Sequence, residues 1–139
     1  MKRLLLSLLV LSLIGSGIAC KKQIEQKKED IIMSAITDGI WVVDYYLENT
    51  SDITTNFTNY DFQFYKDGKV TGTKSGNITN GTWAGDAINY TITSNFASPN
   101  DTLTKMNGVW KLTDTYLDYV EAERTTASGK NILYLRKKP

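Results

Sequence analysis

Tyr60-Asp61-Phe62-Gln63-Phe64-Tyr65-Lys66-Asp67-Gly68-Lys69-Val70 is the stretch on which the fold turns. Tyr60, Phe62 and Phe64 fall on one face and Asp61, Gln63 and Tyr65 on the other, the period-two pattern of a half-buried strand. Asp67-Gly68 then supplies the dipeptide favoured in a tight antiparallel hairpin, where the central residues need positive φ. Lys69-Val70 therefore starts a second strand that returns beside the first.

The same pattern repeats in both directions along the chain. Trp41, Val43 and Tyr45 alternate with Val42, Asp44 and Tyr46, and Ile88, Tyr90 and Ile92 with Asn89, Thr91 and Thr93. Leu117 and Tyr119 alternate with Asp118 and Val120, and Leu133 and Leu135 sit between Ile132, Tyr134 and Arg136. Turn residues separate these runs at Ser75-Gly76-Asn77, Gly85-Asp86-Ala87, Thr113-Asp114-Thr115 and Ala127-Ser128-Gly129-Lys130. The pattern predicts eight strands near 40–47, 60–66, 69–74, 79–84, 87–94, 109–113, 116–123 and 130–137. The fold class is all-β, and close antiparallel spacing points to a sandwich or barrel. One helix interrupts it, over about 99–106 between the fifth and sixth strands, with Ser98 as N-cap, Pro99 at the first helical position and Gly108 beyond the end. Leu103 and Met106 share a face of that helix, which in a barrel would cover an opening.

The N-terminus has a different character. Lys2 and Arg3 precede an apolar run from Leu4 to Ile14, then come Gly15, Ser16, Gly17, Ile18 and Ala19. This is the three-part layout of an export signal, and the run is shorter than the about 20 residues a membrane-spanning helix needs. Gly17-Ile18-Ala19-Cys20 resembles the bacterial lipobox, with Gly17 where leucine is common. Cys20, the only cysteine of the chain, is then expected to carry the lipid, attaching the protein to a membrane. Lys21 stands where an aspartate would hold an enteric lipoprotein at the inner membrane, so by analogy the expected location is the outer membrane of the cell envelope. The chain divides into a signal peptide (1–19), a lipidated cysteine with its tether (20–37) and a barrel domain (38–139). In the tether Lys21, Lys22, Lys27 and Lys28 mix with Glu25, Glu29 and Asp30, and Ile24, Ile31, Ile32, Ala35 and Ile36 fall near helical spacing. A helix over about 23–35 is expected there.

Composition excludes several classes of chemistry. The chain of 139 residues carries 16 Lys+Arg, 15 Asp+Glu and no histidine. Its charge leaves no polybasic footprint for nucleic acid. Without histidine, the commonest general base and the commonest zinc ligand are missing, and one cysteine allows neither an internal disulfide nor a cysteine metal cluster. Asp118 and Glu121 come nearest to a carboxylate pair, but on a strand their spacing sends them to opposite faces. No catalytic residue, cofactor or metal site is expected. Six Asn-x-Ser/Thr triplets begin at Asn49, Asn56, Asn77, Asn80, Asn89 and Asn100, and with a bacterial lipobox they read as turn and solvent-facing positions.

Gly39-Ile40-Trp41, Gly81-Thr82-Trp83 and Gly108-Val109-Trp110 use all three tryptophans in one tripeptide, as interior plates at strand starts or bends. Taken in order with the lipobox and Lys21-Lys22, with Phe62-Gln63-Phe64 leading to Asp67-Gly68-Lys69-Val70, and with Met106-Asn107-Gly108-Val109-Trp110, they make the chain resemble the lipocalin-like lipoproteins of Bacteroidetes-type bacteria. The resemblance implies a small eight-stranded lipocalin-like barrel. It also implies a small hydrophobic ligand, for which the candidate lining is Trp41, Tyr45, Phe62, Phe64, Trp83, Tyr90, Trp110 and Tyr119. The alternative expectation is a packed scaffold for protein or glycan contacts, to which Tyr46, Tyr65 and Tyr134 would contribute as exposed aromatics.

Overall fold

The computed structural model describes the backbone of residues 2–139 and the side chains of residues 20–139; the expected export signal, residues 1–19, lies outside the residues described to that level. A helix, α1 (Lys2–Thr37), leads into β1 (Trp41–Glu48), a two-residue β2 (Ser51–Asp52) and a 3-10 turn at Thr54–Phe57. Then follow β3 (Asp61–Phe64), β4 (Lys69–Lys74), β5 (Asn77–Asp86), β6 (Thr91–Phe96), helix α2 (Asp101–Thr104), β7 (Gly108–Thr115), β8 (Tyr119–Thr126) and β9 (Gly129–Lys137).

Each strand pairs antiparallel with the next from β3 to β9, and β9 returns to β1. With β1 also meeting β3, eight strands close an antiparallel barrel, and β2 is a short spur on β1. The β1–β3 seam is held by one register pair, Trp41 opposite Phe62. Phe57 and Tyr60, from the long connection between these strands, turn inward and are buried. Closure removes the sheet edges that would otherwise invite pairing with other chains.

Up-and-down connectivity sorts the loops into two ends. The α1 end holds the β3–β4, β5–β6 and β7–β8 turns; the far end holds the β1–β3 connection, the β4–β5 and β8–β9 turns and α2. The short helix stands between the fifth and sixth barrel strands as expected, but it begins two residues late. Asn100, not Ser98, is its N-cap: the Asn100 side chain accepts a hydrogen bond from Leu103 N (2.9 Å). The amide of Asn100 also donates to the Tyr60 hydroxyl (2.7 Å), a tertiary contact that selects it over Ser98. The tether helix reaches Thr37, beyond the expected 23–35, and Ile32, Met33 and Ile36 pack onto the barrel core.

Candidate functional site

Of the eight residues expected to line a ligand cavity, five lie inside. Trp41, Phe62, Phe64, Trp83 and Trp110 are all buried. Each indole N–H is used to hold an adjoining segment. Trp41 donates to Ile36 O (2.9 Å), Trp83 to Tyr65 O (2.8 Å) and Trp110 to Met106 O (3.0 Å). The three Gly-x-Trp units therefore stitch α1, the β3–β4 turn and the α2 exit to the barrel wall. Gly81 is glycine because a Cβ there would stand 2.7 Å from Asn95 O on β6, and Gly108 because its φ is +115°.

The other three, Tyr45, Tyr90 and Tyr119, lie outside, each for a local reason. A bulge between Val43 and Tyr45 in the β1–β9 ladder leaves Asp44 unpaired and reverses the alternation beyond it. Tyr46, expected outside, is fully buried; Tyr45, expected inside, packs outside against Tyr134 with the rings tilted and their centroids 5.3 Å apart. Tyr90 is 46% exposed, because residues 87–90 form a turn and not the expected start of a strand. The Asp86 carboxylate accepts from the backbone N–H groups of Ile88 and Asn89, which fixes this turn and leaves Tyr90 at φ +53°. On β8 it is Val120 and Ala122 that face the core, so Tyr119 points outward. The larger side chains of 117 and 119 suggest the opposite face, but pairing with β9 sets the phase.

The barrel interior is filled. In the far half, Trp110, Tyr46, Phe57, Tyr60, Phe62 and Phe96 form a continuous chain of ring contacts with centroids 5.2 to 6.4 Å apart. The Tyr46 hydroxyl donates to Lys105 O (2.7 Å), and Arg124 Nη2 donates to the same carbonyl while its guanidinium lies over the Trp110 ring. Burial raises the Tyr46 phenol above its usual pKa. Beneath Ile36 lies a cavity of about 30 Å³, lined by aliphatic residues with Phe64, Ser94, Met106 and Trp110. That is room on the order of one water molecule.

Two features lie outside the barrel. On the outer face of β1, β9 and β8, Tyr45, Tyr134 and Tyr119 form a row continued by Tyr116, with successive centroids 5.3, 5.9 and 6.4 Å apart. The Arg136–Asp44 ion pair (2.9 Å) adjoins it. Desolvation and the hydrogen bond to Glu121 push Tyr119 up to about 12. The second feature is an apolar cleft of about 290 Å³ between the last turns of α1 and the β7–β8 hairpin, bounded by Ile32, Ala35, Trp41, Leu112 and Leu117. Of the expected lining residues only Trp41 reaches it. Tyr65, expected outside, is partly exposed at the β3–β4 turn. Cys20 is a free, exposed thiol on α1. Among the described residues no group of acidic or cysteine side chains is arranged to hold a metal, and no helix is long and apolar enough to cross a membrane.

No protein-family model matches the sequence, and no curated protein matches it. The fold is similar to that in the crystal structure of a DUF4847 family protein from Bacteroides vulgatus, with a TM-score of 0.54 over 78% of this chain and 99% of that one. At 14% sequence identity the likeness is one of fold: a closed eight-stranded antiparallel barrel.

Proposed function

We propose that this chain is a lipocalin-like lipoprotein, held through Cys20 at the outer membrane of a bacterial envelope. In this reading its barrel is a packed scaffold that makes protein or glycan contacts from its outer surface. The observation that carries the scaffold reading is the 30 Å³ interior cavity, far below the roughly 300 Å³ at which small-molecule sites begin. An eight-stranded barrel has width either for its own side chains or for one small ligand, and the aromatic chain takes that width here. The Tyr45–Tyr134–Tyr119–Tyr116 row is the surface best suited to contact, because tyrosine offers a large rigid ring with a polar tip at low entropic cost. The anchor is read from the lipobox-like Gly17-Ile18-Ala19-Cys20 and from the exposed position of the thiol.

The 290 Å³ cleft favours a second reading, in which a small hydrophobic molecule binds at the α1 end of the barrel and not within it. One titration separates the readings. Residues 20–139 are titrated with fatty acids and an apolar fluorophore while tryptophan emission is followed. The scaffold reading expects no saturable response. Saturable binding weakened by Ile32→Ala places a ligand in the cleft, whereas binding weakened by Trp83→Ala or Phe64→Ala, in variants that remain folded, places it in the interior and overturns the scaffold. Loss of membrane retention in Cys20→Ala, with loss of palmitate labelling, tests the anchor.

A further inference from the structure

Among the described residues, the exposed apolar side chains are concentrated at one end. On the hairpin tips of the α1 end, Ile88 is 68% and Leu117 71% exposed, with Tyr90 and Tyr116 beside them. Ile24 and Ile31, seven residues apart and so on one face of α1, are also exposed. Exposed apolar residues elsewhere, such as Ile78 and Val109, stand singly. The far-end tips read Ser75-Gly76, Ser98-Pro99-Asn100 and Ala127-Ser128; Phe57, Leu103 and Met106 of that end are turned inside, and Ile78 and Val109 are its exposed apolar residues, on separate strands. An apolar side chain left in water at a turn gains little for the fold by burial. A cluster of them at one end marks a surface that meets something.

We propose that the β5–β6 and β7–β8 hairpin tips, with Ile24 and Ile31, form a bilayer-contacting face that seats the barrel directly on the membrane; this rests on reading Cys20 as the lipid anchor. The chain itself selects a membrane over other occupants. The Ile88–Tyr90 tip lies beside Glu25 and Lys28, five and eight residues after Cys20. At 1.5 Å per helical residue the two tips meet α1 about 8–12 Å and about 16–22 Å from the attachment point, so both reach the bilayer surface with this part of α1 lying along it. Leu117 adjoins Ile31, Ser34 and Ala35 farther along the same helix. Lys21 and Lys22, directly after Cys20, are complementary to anionic lipid at the anchored end of the face, while Lys27 and Lys28 are balanced by Glu29 and Asp30 toward Ile31. Tyrosine, apolar in body and polar at its tip, suits the interface, and two of the tip residues are tyrosines. Two acyl chains would anchor the protein by themselves; the tips would add orientation, holding the polar far end and the tyrosine row toward the aqueous side.

The test uses the acylated protein reconstituted into vesicles of phosphatidylethanolamine and phosphatidylglycerol. Ile88→Cys and Leu117→Cys are labelled with a polarity-sensitive bimane, with Ser128→Cys at the far end as the control. An acylated Cys20 has no free thiol, so the probe reports the introduced site alone. The mass of the N-terminal peptide reports the anchor independently. The expected result is blue-shifted emission at 88 and 117 that is lost to a nitroxide carried on lipid, and unshifted emission at 128 that is lost to iodide. Equal iodide access at all three sites in a protein of acylated mass overturns the proposal while leaving the anchor intact. Blue-shifted tips that ignore the lipid nitroxide and track protein density show a second copy covering the face, which also overturns it. An unacylated N-terminus removes the anchor and this proposal together.

Discussion

The two ends of the barrel are closed in opposite ways. At the far end the closing residues belong to the barrel's own connections: Phe57 from the 3-10 turn, and Leu103 and Met106 from α2 and its exit, all buried. Hydrogen bonds lock that lid, Tyr46 and Arg124 donating to Lys105 O and Ser94 to Met106 O. At the α1 end the strands leave an opening that Ile36 fills from outside the barrel domain, tied down by the Trp41 indole. The small cavity and the apolar cleft both lie against this plug. The difference teaches that a barrel end can be built as part of the core or left to a tether, and that the tethered end is the one whose apolar surface remains available.

The largest expected effect tests the built end. Trp110→Ala removes a buried ring, its bond to Met106 O and the surface under Arg124, and is expected to lower unfolding free energy by about 3–5 kcal/mol in urea titration. An unchanged midpoint would break the comparison at its root. Next, Leu103→Ala and Ile36→Ala place the two plugs side by side. Both delete buried aliphatic groups, for which the range is about 2–5 kcal/mol. Leu103, fully enclosed, is expected high in that range, and Ile36, which adjoins a cavity and a cleft that can relax, near its lower limit. Equal costs would mean that the tether is as much a part of the core as α2.

Smaller effects follow from titration. Tyr119 is raised to about 12, by desolvation first and then by Glu121, while an unfolded tyrosine ionises near 10. Its contribution is therefore complete below about pH 10 and is lost as pH rises toward 12. Tyr46, raised by burial, acts in the same direction. Urea midpoints between pH 9 and 12 should fall, and Tyr119→Phe should fall less. On the acid side each end has one marker. Hydrogen bonds from Thr54 hold Asp52 low at the far end, and those from Asn89 hold Asp86 low at the α1 end. Both contributions are present above the usual aspartate range, near pH 4, and are lost as pH falls through the depressed values. Titration of each carboxyl by NMR should place both below the usual aspartate range, and in Asp86→Asn the 86–90 turn should lose its acid dependence while Asp52 still titrates low. The smallest effect belongs to the hairpin tips. Ile88→Ser and Leu117→Ser should change stability by no more than about 0.5 kcal/mol, since neither side chain packs in the core. A loss of several times that amount would mean that the tips serve the fold.

Much of the barrel was legible because its information is local. Tyr60 to Val70 carries a period, a turn dipeptide and a return strand within eleven residues, and the structure pairs Phe64 with Val70 across that turn. The three tryptophans were read as interior plates from the glycine beside each and from their bulk, and all three are buried. The expected ligand lining was legible only in part. Tyr45 and Tyr46 are adjacent and chemically equal, so nothing local says which faces in; the bulge at Asp44 decides, and it exists only as a mismatch with β9. Tyr119 against Val120 is the same ambiguity, resolved by register across the β8–β9 ladder. Tyr90 was misplaced because Ile88, Tyr90 and Ile92 keep a strand's period through a turn that the Asp86 carboxylate imposes.

By itself the sequence determined the all-β class, the approximate strand count, the hairpins, the short helix between the fifth and sixth strands and the inward tryptophans. Each rests on residues close together in the chain, where side-chain period and turn chemistry act directly. Only the tertiary structure decided the closure of β1 on β9, the faces taken by Tyr45, Tyr46 and Tyr119, the near-absence of interior space and the sorting of exposed apolar residues to the α1 end. These depend on the register between strands remote in sequence, and a shift of one residue there turns every following side chain to the other face at no cost to local propensity.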